Sequence, residues 1–393
     1  MKIPITLYAI VARVVNLLVP VKQKHWVFGS DYGNMYREGS KYLIEYMLAY
    51  HKDYNCTFIT RNRDVKRFLL KKGIPCEMNF SLKGMITVAR AEAVFTCQTM
   101  DDIFFIYKKK GRRFFYVLHG MPLKVAASAL PQDYIDKYMH HSDKSLRSGI
   151  SDMINPRVDI YDSEFIAVTS DFLKPYEEKD LAHRVHVKVL GMPRNDALFD
   201  DERMKNEKWV DGLEGKFVIT YMPTHRKYGH GEISPSPFIN RPDYQEWMRK
   251  NGVVLLVKQH PNMIPKLKDV KQTDVIRDIT CDSLDPQVCI YHSDVLITDF
   301  SSVWMDYLLL RRPILFYIYD NFEQDDAGCH YDIREDPPGH FCEAEDELFE
   351  LIKKCKSDYD SMKPSDRIVS KYHKYVDGKS CERYFEAIVN EKY

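Results

Sequence analysis

Residues 295–317 read Val-Leu-Ile-Thr-Asp-Phe-Ser-Ser-Val-Trp-Met-Asp-Tyr-Leu-Leu-Leu-Arg-Arg-Pro-Ile-Leu-Phe-Tyr. An apolar run, a turn of small polar residues, a helical stretch and a second apolar run follow one another. That order predicts a buried strand, a helix and a second buried strand, the repeating unit of a parallel sheet. The turn holds Thr298, Asp299, Ser301 and Ser302, and either serine is placed to cap the helix behind it. A helix start after a parallel strand presents free N–H groups and the positive end of the helix dipole, which suits phosphate. The competing explanation is that Asp and Ser serve only as caps.

The same alternation extends in both directions. Strands are expected near 26–28, 56–60, 93–97, 113–118, 166–169 and 185–190, with helices near 41–50 and 65–72. A second set follows at 216–221, 253–258, 275–278, 295–298 and 314–317. Two such sets predict an α/β chain of two doubly wound parallel-sheet domains facing across a cleft, divided near Gly191 to Gly215. The expected division is an apolar helix over 1–24, domains over 25–200 and 201–365, and a helical segment over 366–393.

With 393 residues the chain has room for two domains. Its formal net charge is zero, which gives no whole-protein attraction to nucleic acid. Nine cysteines without a Cys-x-x-Cys pair argue against a zinc ribbon and fit a reduced, cytosolic setting. No phosphate-loop, dinucleotide-loop or nucleophile-elbow motif occurs. Asp358-Tyr359-Asp360 reads as a solvated helix face, and His140-His141 points two ways on a helix, so no metal site is assigned.

Residues 3–21 are apolar, with Ala9, Arg13 and Asn16 on one weakly polar stripe and Lys22 and Lys24 behind. Arg13 and Asn16 would sit inside a bilayer, so a surface-lying helix is expected rather than a span; packing on the protein's own core is the alternative. Lys108-Lys109-Lys110-Gly111-Arg112-Arg113 is the densest basic run. It reads either as solvated surface or as a contact for anionic head groups.

Ligands of open parallel sheets bind beyond the carboxyl ends of the strands. His119, Pro223-Thr224-His225-Arg226, Lys258 with His260, and Asp299 to Ser302 all stand there. Four polar strand ends on two domains point to one cleft. Histidine suits a general base at neutral pH. Lysine, histidine and the arginine fork suit a diphosphate.

Taken together, Trp26 to Ser30, Ser40 to Leu43, His119 to Lys124, Gly191 to Asp196, Pro223 to Arg226, Lys258 to Pro261 and Thr298 to Pro313 resemble the CDP-glycerol glycerophosphotransferases of teichoic-acid and capsule synthesis. The resemblance implies the GT-B fold, with an N-terminal acceptor domain and a C-terminal nucleotide-donor domain. It implies transfer of a polyol phosphate from CDP-glycerol or CDP-ribitol to a hydroxyl of a lipid-linked or growing polymer acceptor, releasing CMP. Carried over, His119 is the base and His260 the second catalytic residue. Arg226, Lys258, Ser301 and Ser302 hold the diphosphate, and Asp299, Thr224, Pro223 and Asn195 lie at the nucleotide or polyol. It implies no metal or cofactor, and attachment to the anionic inner membrane surface; the sequence also allows an oligomer. Met121 and His225 depart from the Thr and Trp common in that family. The alternatives are a GT-B glycosyltransferase using a nucleotide-sugar and a non-catalytic membrane scaffold.

Overall fold

The computed structural model describes residues 5–104, 106–125, 158–224, 236–259, 271–282, 284–320 and 328–390. The first sheet contains β1 (His25–Phe28), β2 (Asn55–Thr60), β3 (Cys76–Met78), β4 (Ala93–Thr96) and β5 (Arg113–Tyr116), all parallel in the order β3-β2-β1-β4-β5. Its strands are near-continuous apolar runs because helices cover both faces. Those helices include α1 (Ile5–Leu18), α2 (Glu38–Tyr50), α3 (Arg63–Lys71) and α4 (Leu82–Arg90). Asn62 and Ser81 start α3 and α4 by accepting from the N–H groups of Asp64 and Gly84. Gly39 is required where α2 seats on the sheet, since a Cβ there would collide with Val117.

A parallel pair, β6 (Ile166–Val168) and β7 (Val187–Val189), flanks α5 (Lys174–Asp180). It joins the first sheet through Glu164, whose N–H donates to Phe114 O at 2.9 Å. A 3-10 turn over Pro193–Phe199 and α6 (Asp201–Asn206) lead to the second sheet. That sheet holds β8 (Phe217–Tyr221), β9 (Val253–Val257), β10 (Ile276–Asp278), β11 (Val295–Thr298), β12 (Ile314–Tyr317) and β13 (His340–Cys342). The order is β10-β9-β8-β11-β12-β13, again parallel throughout. Its helices are α7 (Pro242–Lys250), α8 (Pro286–Tyr291), α9 (Val303–Leu308) and α10 (Glu345–Ser357).

Each sheet is doubly wound, so each has a point where strand order reverses: between β1 and β4, and between β8 and β11. The two lobes share one hydrophobic cluster that runs from Trp26 through Leu296 and Trp304 to Tyr384. The chain then returns to the first lobe through α11 (Asp366–Tyr372) and α12 (Ser380–Asn390). There Phe385 stacks on His51 at 3.6 Å, and Arg113 donates to Ile388 O at 2.6 Å.

The structure places both N-terminal features, the α1 stripe and the basic run. The polar stripe of α1 faces inward: Asn16 is buried and its Oδ1 accepts from Arg112 Nη1 at 2.9 Å. The apolar residues Ile10, Leu17 and Leu18 point outward, 60%, 61% and 77% exposed. Among the described residues no helix is long and apolar enough to cross a membrane. The basic run is mostly structural. Lys108 pairs with Asp162, Lys109 donates to the Asn16 and Val19 carbonyls at the end of α1, and Arg112 is buried against the Val88 and Ala89 carbonyls at the end of α4. Helix ends carry orphan carbonyls and negative dipole ends, which is where a lysine or arginine is best placed.

Candidate active site between the two sheets

The second sheet supplies one wall. β8 ends in Met222-Pro223-Thr224 and β11 in Asp299-Phe300-Ser301-Ser302, so both turns leave neighbouring strands at the switch point, where ligands bind in such sheets. Asp299 is fully buried. Its Oδ1 accepts from the Thr224 N–H at 2.8 Å and the Thr224 hydroxyl at 2.5 Å. Thr298 Oγ1 adds a bond to Met222 O at 2.7 Å. Asp299 thus braces one turn to the other. A tight turn leaves an orphan N–H, and a carboxylate is the acceptor it needs. Pro223 is buried in this brace and Thr224 half-buried beside it.

Ser301 and Ser302 remain half-buried. Ser302 occupies the N-cap of α9, yet its hydroxyl makes no capping bond. The capping explanation thus fails for this side chain. α9 is only six residues long, so its dipole adds little and the hydroxyls are the main donors offered. Lys258 stands at the end of β9, 9% exposed, its N–H bonded to Tyr221 O at 2.9 Å. It makes no ion pair with a described residue. His225, Arg226 and His260 lie outside the described residues, as does the His140-His141 pair.

The first sheet supplies the other wall. β5 continues through Val117 and Leu118 to His119, whose ring is exposed. His119 Nδ1 lies 3.3 Å from Cys97 O. A carbonyl can only accept, so Nδ1 carries the hydrogen and Nε2 of the neutral ring is left as the free acceptor. The loop that presents Cys97 is held by Asp102, a residue the motifs did not single out. Its Oδ2 accepts from the N–H groups of Cys97 and Gln98 at 2.7 and 2.8 Å, and Oδ1 from Tyr32 N–H at 2.7 Å. Burial pushes the Asp102 carboxyl up against the pull of these donors.

The walls meet at Gly120, where a Cβ would lie 2.6 Å from Ser302 Oγ. Buried polar pairs lock the lobes nearby. Lys41 Nζ and Tyr42 Oη both reach Asp285 Oδ2, at 2.8 and 2.9 Å. Burial of Asp285 opposes its charge, but Lys41 and the surrounding donors more than offset this and hold its pKa down. Gln287 Nε2 donates to Asn195 Oδ1 at 2.8 Å. Asn195 is 3% exposed and takes part in the lobe contact. Among the described residues no group of three or more His, Cys, Asp or Glu side chains could hold a metal ion. The geometry thus brings the His119 turn against Ser302, with Lys258 at the end of a strand of the same second sheet.

The sequence profile of the CDP-glycerol:poly(glycerophosphate) glycerophosphotransferases matches residues 11–390. The chain belongs to this family. It is accordingly a transferase of the glycerophosphotransferase kind. It is similar to a teichoic acid poly(glycerol phosphate) polymerase of Bacillus spizizenii, 25% identical over 94% of this chain and 92% of that one. It is also similar to a teichoic acid glycerol-phosphate transferase of Staphylococcus aureus, 24% identical over 86% of each. Among solved structures the wall teichoic acid polymerase TagF matches with a TM-score of 0.73 at 20% identity, over 98% of this chain and 93% of that one, and shows the fold to be GT-B-like.

Proposed function

We propose that this chain transfers glycerol phosphate, or ribitol phosphate, from its CDP-activated form to a hydroxyl of a lipid-linked or growing polymer acceptor. The acceptor oxygen attacks the polyol-side phosphorus in line, a new P–O bond forms, and the bridging P–O bond breaks to release CMP. His119 takes the acceptor proton at Nε2. The observation that carries this reading is the His119 ring: exposed, its Nδ1–H directed at Cys97 O, on a turn whose next residue touches Ser302. Such transfer is mainly positioning and charge stabilisation. Ser301, Ser302 and Lys258 neutralise the diphosphate, joined by Arg226 and His260, and no metal or organic cofactor takes part.

The outward apolar face of α1 supports attachment to a membrane surface, since such a face is otherwise left in water. The site would then work at the inner leaflet, where a lipid-linked acceptor is presented.

The test is CMP release from CDP-glycerol and CDP-ribitol, each with a polyol-phosphate lipid acceptor and with chelator present. His119→Ala should abolish turnover while donor binding by calorimetry stays within threefold. Near-normal turnover in that variant removes His119 from the mechanism. Release of a nucleoside diphosphate from a nucleotide-sugar in place of CMP would move the chain to glycosyl transfer.

A further inference from the structure

Arg194 lies in the Pro193–Phe199 turn between the lobes and is 7% exposed. Its Nη1 donates to Glu38 Oε2 at 2.6 Å and to His119 O at 2.5 Å, and its Nη2 pairs with Asp306 Oδ2 at 2.6 Å. Burial opposes the charge, but Asp306 and Glu38 more than offset it and hold the guanidinium above its ordinary pKa. The three partners come from three elements. Glu38 opens α2, His119 ends the extension of β5, and Asp306 sits on α9. Asp306 follows Ser302 by four residues, so both lie on one face of the same turn. Glu38 also has a φ of 62°, a left-handed backbone that a glutamate adopts only when its surroundings impose it.

One planar fork therefore grips the backbone of the histidine turn and, with its other nitrogen, the helix behind the serine pair. Lysine would keep the charge but lose the fixed, planar spacing of the two nitrogens that face His119 O and Asp306. Simple lobe docking does not need this arrangement, because the Lys41–Asp285 pair already docks the lobes without touching His119. We infer that Arg194 is a positioning residue that fixes the distance and orientation of the His119 imidazole relative to the Ser301-Ser302 shelf. This inference rests on the reading of His119 as the base. Arg194 touches neither donor nor acceptor; it acts through the His119 carbonyl and through α9.

The experiment compares Arg194→Lys, Arg194→Met and, as a control that breaks a buried interlobe pair away from His119, Lys41→Met, all in the full chain. CMP release from CDP-glycerol gives kcat and KM, and 13C-labelled histidine NMR follows the His119 ring, identified by its loss in His119→Asn. The expected result for Arg194→Met is a fall in kcat of a hundredfold or more with KM for CDP-glycerol within threefold. Arg194→Lys should recover at least fivefold of that loss. Lys41→Met should lower the melting temperature while kcat stays within threefold. The His119 resonance should shift or broaden in both Arg194 variants and not in Lys41→Met. A folded Arg194→Lys or Arg194→Met with kcat within threefold of the parent overturns the inference, as does an equal kcat loss in Lys41→Met or an unmoved His119 resonance. If the parent releases no CMP from either CDP-polyol, the donor reading falls instead. The histidine spectra then decide the role of Arg194 on their own.

Discussion

Gly120 and Ser302 belong to different lobes, and their contact can be tested by a double-mutant cycle. Alanine at position 120 would place its Cβ 2.6 Å from Ser302 Oγ but 3.7 Å from Ser302 Cβ. Only the hydroxyl is in the way, and it can be moved by forcing the serine off its rotamer, at a cost of about 0.5–1.5 kcal/mol. The Gly120 backbone lies outside the left-handed region, so alanine also stiffens the unfolded chain and gains about 0.4–1 kcal/mol. Gly120→Ala should therefore be neutral to about 1 kcal/mol destabilising beside Ser302. In a Ser302→Ala background the obstruction is gone and only the gain remains, so the sign reverses. The coupling of about 1 kcal/mol exceeds the roughly 0.3–0.5 kcal/mol scatter of independent sites. Urea midpoints at constant slope would measure it. Activity separates the effects further. A hydroxyl bonded to a charged phosphate contributes about 1.5–3 kcal/mol, so each single variant should lose roughly 10- to 100-fold in kcat/KM. The double variant should stay as low as Ser302→Ala, although its fold is relieved. Additive stabilities within about 0.3 kcal/mol, or parent-level turnover in the double variant, would refute the reasoning.

Glu177, buried on α5, has its carboxyl pushed up to about 8 by burial and by neighbouring Asp180. A raised folded pKa means the native state keeps a proton that the unfolded chain releases near pH 4.3, so stability is full below that value and falls as pH rises to about 8. Glu177→Gln should remove this slope and be more stable than the parent at pH 8 by roughly 3–5 kcal/mol, with little difference near pH 4; parallel denaturation curves across pH would contradict it. Lys258→Met should weaken CDP-glycerol binding by at least tenfold in calorimetry, since a charged hydrogen bond to phosphate contributes about 1.5–3 kcal/mol, and unchanged affinity would remove Lys258 from the donor pocket. Leu17→Ser with Leu18→Ser should cut co-sedimentation with phosphatidylglycerol vesicles by tenfold or more, because each buried leucine contributes about 1.5–3 kcal/mol; equal binding would refute the α1 surface.

The sheets and the cleft were legible because each strand end carries its own local signature. An apolar run that stops at a polar turn needs only five or six residues to be read, and Val295 to Ser302 shows strand and turn together. The strands β3 (Cys-Glu-Met) and β13 (His-Phe-Cys) were not read, since each carries a charged or polar residue where the equally short β6 is an apolar run, Ile-Ala-Val. What sequence could not supply was the assignment of each polar group to a ligand or to the fold. Asp299 and Ser302 stand three residues apart in one turn, yet Asp299 Oδ1 is engaged by Thr224 while the Ser302 hydroxyl makes no capping bond. The choice is made by partners some 75 residues away.

Positive charge shows the same limit. The run Lys108 to Arg113 looks like a surface for anions, but most of it closes helix ends and pairs with acids. Arg194 was legible only as part of the Gly191 to Asp196 motif and Asp102 not at all, yet between them they hold both sides of the His119 turn, Arg194 at its carbonyl and Asp102 through the loop that bears Cys97. A cation is free to meet a ligand only when no carbonyl or carboxylate of its own fold reaches it first. Burial makes that competition decisive, because a buried polar group without a partner is costly and an available one will be engaged. Lys258, largely buried and without an ion pair among the described residues, has not been claimed in this way. By the same argument it is the described cation for which an anionic ligand is the best remaining partner.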